Sequence, residues 1–394
     1  MRAMNRLIKL FSRLLPLITI AFPGGYKLLV VMSVTFLSGG IVADQFSQAF
    51  FWVGLLVTFG GLPLASLIVS KNINISNKHK IIITFVFSFI SYGVAFLLKL
   101  HEFDWKINSA IFFALIFLAF YEVDKQYFLN KGSFKSLFIC SLITLFLFLM
   151  FLVLFIDNQY LLIIAVFFSL LLPVGFFYFR EEKNVISKVT DFSTVIKGCL
   201  KYVFSNALSS SLMAAFPLLL IQELGASISS ELAQVFYISS IAYLIPRVLS
   251  AQNIPLMRSQ GINKTIVQSY FVKVIVFVVI VNVIAIIILP YFYSQWLLYY
   301  LLFAAMQCSQ LCLPFSNVLM VKGDSTAILQ TNFIASFIFS FAVISTMFLI
   351  DKGENRAQLL LVEFLFFQML KLLFSYIFSS KYLKGNTNVL IQTG

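Results

Sequence analysis

Long apolar runs alternate with short charged gaps along the whole chain, and the runs recur at the length of a bilayer crossing. A helix rises 1.5 Å per residue, so about 20 apolar residues span roughly 30 Å of hydrocarbon. That ruler gives twelve spans. The first six are Leu14–Leu37, Phe46–Ser70, Ile81–Leu98, Ser109–Val123, Phe134–Ile156 and Tyr160–Phe179. The second six are Tyr202–Leu224, Leu232–Asn253, Ile266–Leu289, Trp296–Leu319, Ala327–Ile350 and Gln358–Phe378. Between the sets, residues 180–201 carry eight charged side chains and almost no apolar periodicity, which reads as a cytoplasmic linker. The shortest span, Ser109–Val123, ends among Glu122 and Asp124; it is kept because removing it would invert the charge bias of every later loop.

A short repeat relates the two sets. At a constant offset of 186, Gly39, Gln48 and Phe50 match Gly225, Gln234 and Phe236, and Phe51 matches Tyr237. Both copies bridge an outer gap and the helix that enters after it, so the halves would be parallel repeats. The expected fold is therefore an all-α polytopic membrane protein of about twelve transmembrane helices in two pseudo-symmetric six-helix bundles. They are an N-terminal bundle at 1–179, the linker at 180–201, and a C-terminal bundle at 202–394.

Charge then sets the orientation. Twenty-two of the 28 Lys and Arg fall in every second loop, the termini and the helix ends beside them, while the opposite gaps carry acids such as Asp44, Glu102, Asp157, Glu223 and Asp351. The positive-inside rule places both termini in the cytoplasm of a multi-pass membrane protein. Composition narrows the classes further: 61% apolar residues, 11% charged residues and a mean hydropathy of +0.98 leave too little polar surface for a soluble protein. The net charge of +13 is scattered over separate loops, which argues against nucleic acid as a partner. The chain has no P-loop signature, and its two histidines, His79 and His101, lie in opposite aqueous gaps. Its four cysteines match no metal or redox spacing. No loop is large enough for an independent active site, so the chain reads as a non-enzyme without cofactor or metal.

Ionisable groups inside the spans are then the informative ones, since each costs at least about 2.5–3.5 kcal/mol near the bilayer centre. Lys27 lies deep in the first span after Pro23, Gly24 and Gly25, which would loosen the helix beside a cavity; the alternative is a helix that starts later, with Lys27 near its inner end. Arg247 follows Pro246 in the eighth span and offers a planar fork suited to phosphate oxygens, or else snorkels to headgroups. Glu363 and Lys371 sit two turns apart in the last span, as parts of an ion relay or as partners of neighbouring helices.

Two six-helix halves with basic residues in the first and eighth helices resemble the Wzx-type O-antigen and polysaccharide flippases of the multidrug/oligosaccharidyl-lipid/polysaccharide (MOP) exporter superfamily. The local likeness rests on Leu37–Ser66, where a glycine turn precedes the second helix, and on Ala226–Arg258, where the run Ser230 to Tyr237 leads into Pro246 and Arg247. The loops here are shorter than in larger members. The resemblance implies a central cationic cavity that moves an undecaprenyl-diphosphate-linked oligosaccharide between leaflets by alternating access. By that likeness Lys27 and Arg247 bind the diphosphate, with Lys371 in the same set, and Arg13 meets the phosphate at the inner mouth. Glu363 would couple transport to an H+ or Na+ gradient. The implied partners are the lipid-linked oligosaccharide, membrane lipids, and a polysaccharide polymerase with its chain-length regulator. Two other functions compete: an O-antigen polymerase or glycosyltransferase, which would need a substantial outer loop, and a drug or cation antiporter of the same superfamily, which would need acids inside the N-terminal half.

Overall fold

The computed structural model describes residues 2–71, 75–98, 103–182, 191–207 and 209–383, and no strand occurs among them. Helix is what hydrocarbon demands, because it satisfies each backbone N–H and C=O within its own segment. In chain order the helices are α1 (Arg2–Ser38), α2 (Gly40–Gly60), α3 (Leu62–Lys71), α4 (Asn77–Leu98), α5 (Trp105–Lys131), α6 (Phe134–Phe155) and α7 (Gln159–Glu182). They continue as α8 (Phe192–Ala207), α9 (Ser210–Leu224), α10 (Ser229–Ala242), α11 (Leu244–Ser259), α12 (Lys264–Phe292), α13 (Trp296–Cys308), α14 (Leu313–Val321), α15 (Ser325–Leu349) and α16 (Glu354–Leu383). Eleven described stretches are long and apolar enough to cross a membrane, and α8 with α9, bent by 44°, makes a twelfth. The all-helical architecture with eleven to twelve candidate membrane spans is therefore present.

By internal contacts the chain forms two compact units, Met1–Gln234 and Val235–Gly394. In the first, α2 and α5 are central; α5 packs on α7, α2 and α3, and buries Ile111, Ala114, Leu115, Leu118 and Ala119 along its length. The span that looks weakest in the sequence is thus the most enclosed of the candidate membrane spans described in its unit, with 61% of its apolar window buried. In the second unit α16 packs on α13, α14 and α15, and buries Leu360, Phe364 and Phe367.

Three spans carry a local irregularity in their helix. Gly61 separates α2 from α3, and an added Cβ there would lie 2.6 Å from both Cα and O of Ala119 on α5. Two backbones pass there at a distance that excludes any side chain, which is why the position is a glycine. A second irregularity lies at Tyr243, between α10 and α11, where the helix bonds to Ser239 and from Arg247 continue, and the span containing α13 and α14 includes a 3-10 turn at Ser309–Cys312.

One stretch differs from the sequence expectation. Helix α8 begins at Phe192, inside residues 180–201, and buries Val195 and Cys199 against Leu64, Leu67 and Ile68 of α3. Phe192, Val195, Ile196 and Cys199 follow the i, i+3, i+4, i+7 spacing of one helix face, which Asp191, Lys197 and Lys201 mask in a charge count.

Both glycines of the repeat adopt positive φ, 60° at Gly39 and 101° at Gly225, immediately before α2 and before the short turn that leads into α10. Within the first unit the two helix starts hold each other: Asp44 Oδ1 accepts from the Ser230 N–H at 2.9 Å, and Gln48 Nε2 donates to Ser229 Oγ at 3.2 Å. Asp44 and Ser230 are themselves separated by the repeat offset.

Candidate functional site

In the first unit Lys27 is placed by its neighbour. Tyr26 is buried, donates to the Val166 carbonyl at 3.0 Å and lies 2.7 Å from Ser169 Oγ, both on α7. Its ring stands edge-on to Phe148 of α6 at 5.6 Å. One residue further along a helix turns the side chain by about 100°, so this anchor fixes Lys27 on a flank of α1, where it is half-buried. The expected loosening at Pro23, Gly24 and Gly25 is absent as a break, since α1 runs unbroken from Arg2 to Ser38. A single proline removes one intrahelical bond, and the Tyr26 anchor holds the next turn in place. Arg13 lies in the same helix, and its side chain falls outside the described residues.

The first unit also holds an ion pair that the sequence does not announce. Lys80 Nζ of α4 lies 2.7 Å from Asp124 Oδ1 of α5, with side chains 4% and 3% exposed, and 3.4 Å from the centroid of the Tyr178 ring on α7. Lys125 pairs with Glu122 one turn away. The cluster ties α4, α5 and α7 at the end of their spans. Its only sequence signal is Glu122, Asp124 and Lys125 at the end of an otherwise apolar run.

In the second unit Arg247 stands in the first turn of α11, one turn after Tyr243. Its side chain is exposed, its guanidinium carbon is 5.6 Å from the centre of the Tyr243 ring, and no carboxylate pairs with it among the described residues. Tyr243 is fixed by donating to the Met306 carbonyl at 2.9 Å. The geometry presents a guanidinium held over an aromatic face with its outer N–H groups open.

Helix α16 carries the other two residues. Glu363 Oε1 accepts from the Thr346 hydroxyl on α15, and Oε2 is buried with no hydrogen-bond partner among the described residues. Lys371, 8% exposed, lies eight residues later, about 12 Å along the axis, so the two do not pair directly. Its ammonium is 5.5 Å from the centre of the Phe367 ring, on a helix that packs against the 3-10 turn at Ser309–Cys312.

Around that turn lies a set of buried amides that sequence reading overlooks. Gln307 Nε2 donates to the Ser239 carbonyl at 3.1 Å, Gln310 Nε2 donates to Ser309 Oγ at 2.9 Å, and among the described residues Gln307 Oε1 and both amide atoms of the fully buried Gln368 have no partner. The polar run from Gln307 to Gln310 inside an apolar span is the signal for it. No three His, Cys, Asp or Glu side chains come together to hold a metal among the described residues, and the four cysteines are free thiols.

Comparison with known proteins places this fold. No protein-family model matches the chain. No curated protein matches it in sequence. Solved structures do match across nearly its whole length. The eukaryotic MATE transporter AtDTX14 aligns at a TM-score of 0.69 and 15% identity, over 96% of this chain and 98% of that one. An outward-facing multidrug resistance MATE family transporter of the MOP superfamily aligns at 0.59 and 13%, over 95% and 96%. A variant of the Vibrio cholerae MATE transporter VcmN aligns at 0.57 and 12%, over 95% and 98%. At these identities the likeness is one of fold: this is a multi-pass membrane protein with the architecture seen in MATE transporters, and these neighbours are transporters rather than enzymes.

Proposed function

We propose that the chain is a flippase that carries an undecaprenyl-diphosphate-linked oligosaccharide from the cytoplasmic to the periplasmic leaflet by alternating access. The observation that carries this reading is Arg247: an exposed guanidinium, aimed by Tyr243 and without a carboxylate partner among the described residues, in a span that hydrocarbon would otherwise surround. Such a group needs water or an anion beside it, and its fork matches phosphate oxygens. Lys27 supplies a second cation in the other half of the sequence, and Arg13 receives the diphosphate first at the inner mouth. Lys371 adds positive potential from within the second unit. A bare diphosphate cannot cross hydrocarbon, so the protein offers a solvated cationic path to the head while the prenyl tail stays in lipid. Glu363 is the coupling group, its free Oε2 taking H+ or Na+. The protein works in a bacterial inner membrane with both termini cytoplasmic, upstream of a polymerase and its chain-length regulator.

The test is genetic complementation. In a strain lacking this chain, the wild type restores surface polysaccharide, and Lys27→Ala and Arg247→Ala each fail to do so while inserting at normal levels. Full restoration by both variants would reject the phosphate-binding assignment.

A second reading, an antiporter of drugs or cations, is favoured by the fold shared with a multidrug resistance MATE transporter and by the unpartnered oxygen of Glu363. It predicts gradient-driven efflux of ethidium from cells or vesicles, which the flippase reading does not.

A further inference from the structure

The second unit carries an apolar groove of about 770 Å³ between the start of α12 and the end of α16, with Phe315 of α14 at its base. The Phe315 ring lies 4.9 Å from that of Phe271 and 5.2 Å from that of Tyr376, so the lining is a continuous aromatic surface. Its polarity is graded. Lys264 is the first residue of α12, Gln268 follows one turn later, and Ser380 stands in the last turn of α16; these polar groups share one end of the groove, and Met369, Leu373 and Phe271 carry it onward. Along α16 the lining runs from Met369 to Leu383, fourteen residues or about 21 Å. That is about half of the roughly 40–45 Å membrane thickness that includes the headgroups, in other words one leaflet.

The polar end is fixed by a clasp. Asp324, before α15, accepts from the Ala327 N–H at 3.0 Å, from Lys381 Nζ at 2.8 Å and from the Tyr382 hydroxyl at 2.8 Å. Lys381 and Tyr382 are therefore turned to Asp324, and Leu383 and Ser380 to the groove. Lys264 is the one charged residue lining it among the described residues, and its side chain is exposed.

We propose that this groove seats one anionic phospholipid, with an acyl chain along Phe271, Phe315 and Leu373 and its phosphate on Lys264, beside Gln268. The groove and a phospholipid share the same sequence of properties over the same length: a charged group at one end, hydrogen-bonding groups next, then apolar surface to mid-membrane. A bound lipid would join the start of α12 to the end of α16 and so brace this unit from the leaflet that bathes the basic helix ends. The proposal is independent of what the protein transports.

Native mass spectrometry of the purified full-length protein, titrated with phosphatidylglycerol or with phosphatidylcholine of the same acyl chains, tests it. One lysine near the headgroup plane contributes about 1 kcal/mol, so wild type should hold the first phosphatidylglycerol about fivefold more tightly than the first phosphatidylcholine. Lys264→Gln should erase that preference and Lys264→Arg should keep it. Leu373→Trp, which fills the groove, should weaken both lipids. Equal retention of the two lipids by wild type, an undiminished preference in Lys264→Gln, or wild-type retention in Leu373→Trp would each overturn the proposal; the Arg variant shows that a change at this position leaves the protein folded.

Discussion

Removing one partner of the buried Lys80–Asp124 pair should cost far more than removing both. With side chains 4% and 3% exposed and 2.7 Å apart, the two charges are desolvated and depend on each other. Lys80→Met leaves Asp124 as a lone buried carboxylate, a change that typically costs about 3–5 kcal/mol. Spread over a unit of this size, at roughly 2–4 °C per kcal/mol, the loss is on the order of 10 °C in apparent melting temperature. Lys80→Met with Asp124→Leu removes both charges and replaces them with apolar bulk, and should return to within about 1 kcal/mol of wild type. The protein contains its own reporters: Cys140 and Cys199 are buried at 1% and 0% exposure in the same unit, so a thiol-reactive dye follows its opening once Cys308 and Cys312 are changed to Ser. If the double variant melts as low as the single one, or if the single variant loses under about 1 kcal/mol, the pair is not the brace described here.

Three further outcomes follow from the same geometry. Gly61→Ala should destabilise the first unit by about 1–3 kcal/mol by pushing apart α3 and α5, whose backbones leave 2.6 Å for the new methyl; Gly198→Ala meets only the flexible Leu67 side chain and should cost less in the same melt. Asp324→Asn weakens the clasp on Lys381, and its effect has a defined pH window. Hydrogen bonds from Lys381, the Ala327 N–H and Tyr382 hold the Asp324 carboxyl at about 2, below the ordinary carboxylate value. The stabilisation is therefore complete above about pH 4 and is lost as pH falls toward 2. Wild type and Asp324→Asn should differ in melting temperature at pH 6 and converge as the pH drops below 4. Glu363→Gln preserves the hydrogen bond with Thr346 and removes the charge, so transport in vesicles should stop responding to an imposed H+ or Na+ gradient; an unchanged response would remove Glu363 from the coupling role.

The spans were legible because hydrocarbon imposes one requirement on every crossing, a run of apolar residues of fixed length. The close approaches between them were not. Gly61 is a glycine because Ala119, fifty-eight positions away, passes over it, and a hydropathy window carries no information about that approach. Asp124 made its own span look short for a related reason: its charge belongs to the interior only once Lys80 is beside it. The apolar face of α8 was hidden by counting charges over residues 180–201 rather than by tracing Phe192, Val195, Ile196 and Cys199 around a helix. Among candidate residues, Lys27, Arg247, Glu363 and Lys371 stood out as charges in apolar runs. The amides Gln307 and Gln368 did not, because a neutral side chain inside a span becomes notable only when partners for its polar atoms are missing among the described residues.

The most direct measurement is of lipid movement itself. Purified protein is reconstituted into vesicles with a fluorescent polyprenyl-diphosphate oligosaccharide, and the fraction reaching the opposite leaflet is read by a membrane-impermeant quencher. Wild type should expose or protect about half of the pool far faster than protein-free vesicles, and Arg247→Ala should fall to the protein-free rate at equal protein content. Wild-type vesicles that move the lipid no faster than empty ones, or an Arg247→Ala variant that matches wild type, would contradict the account.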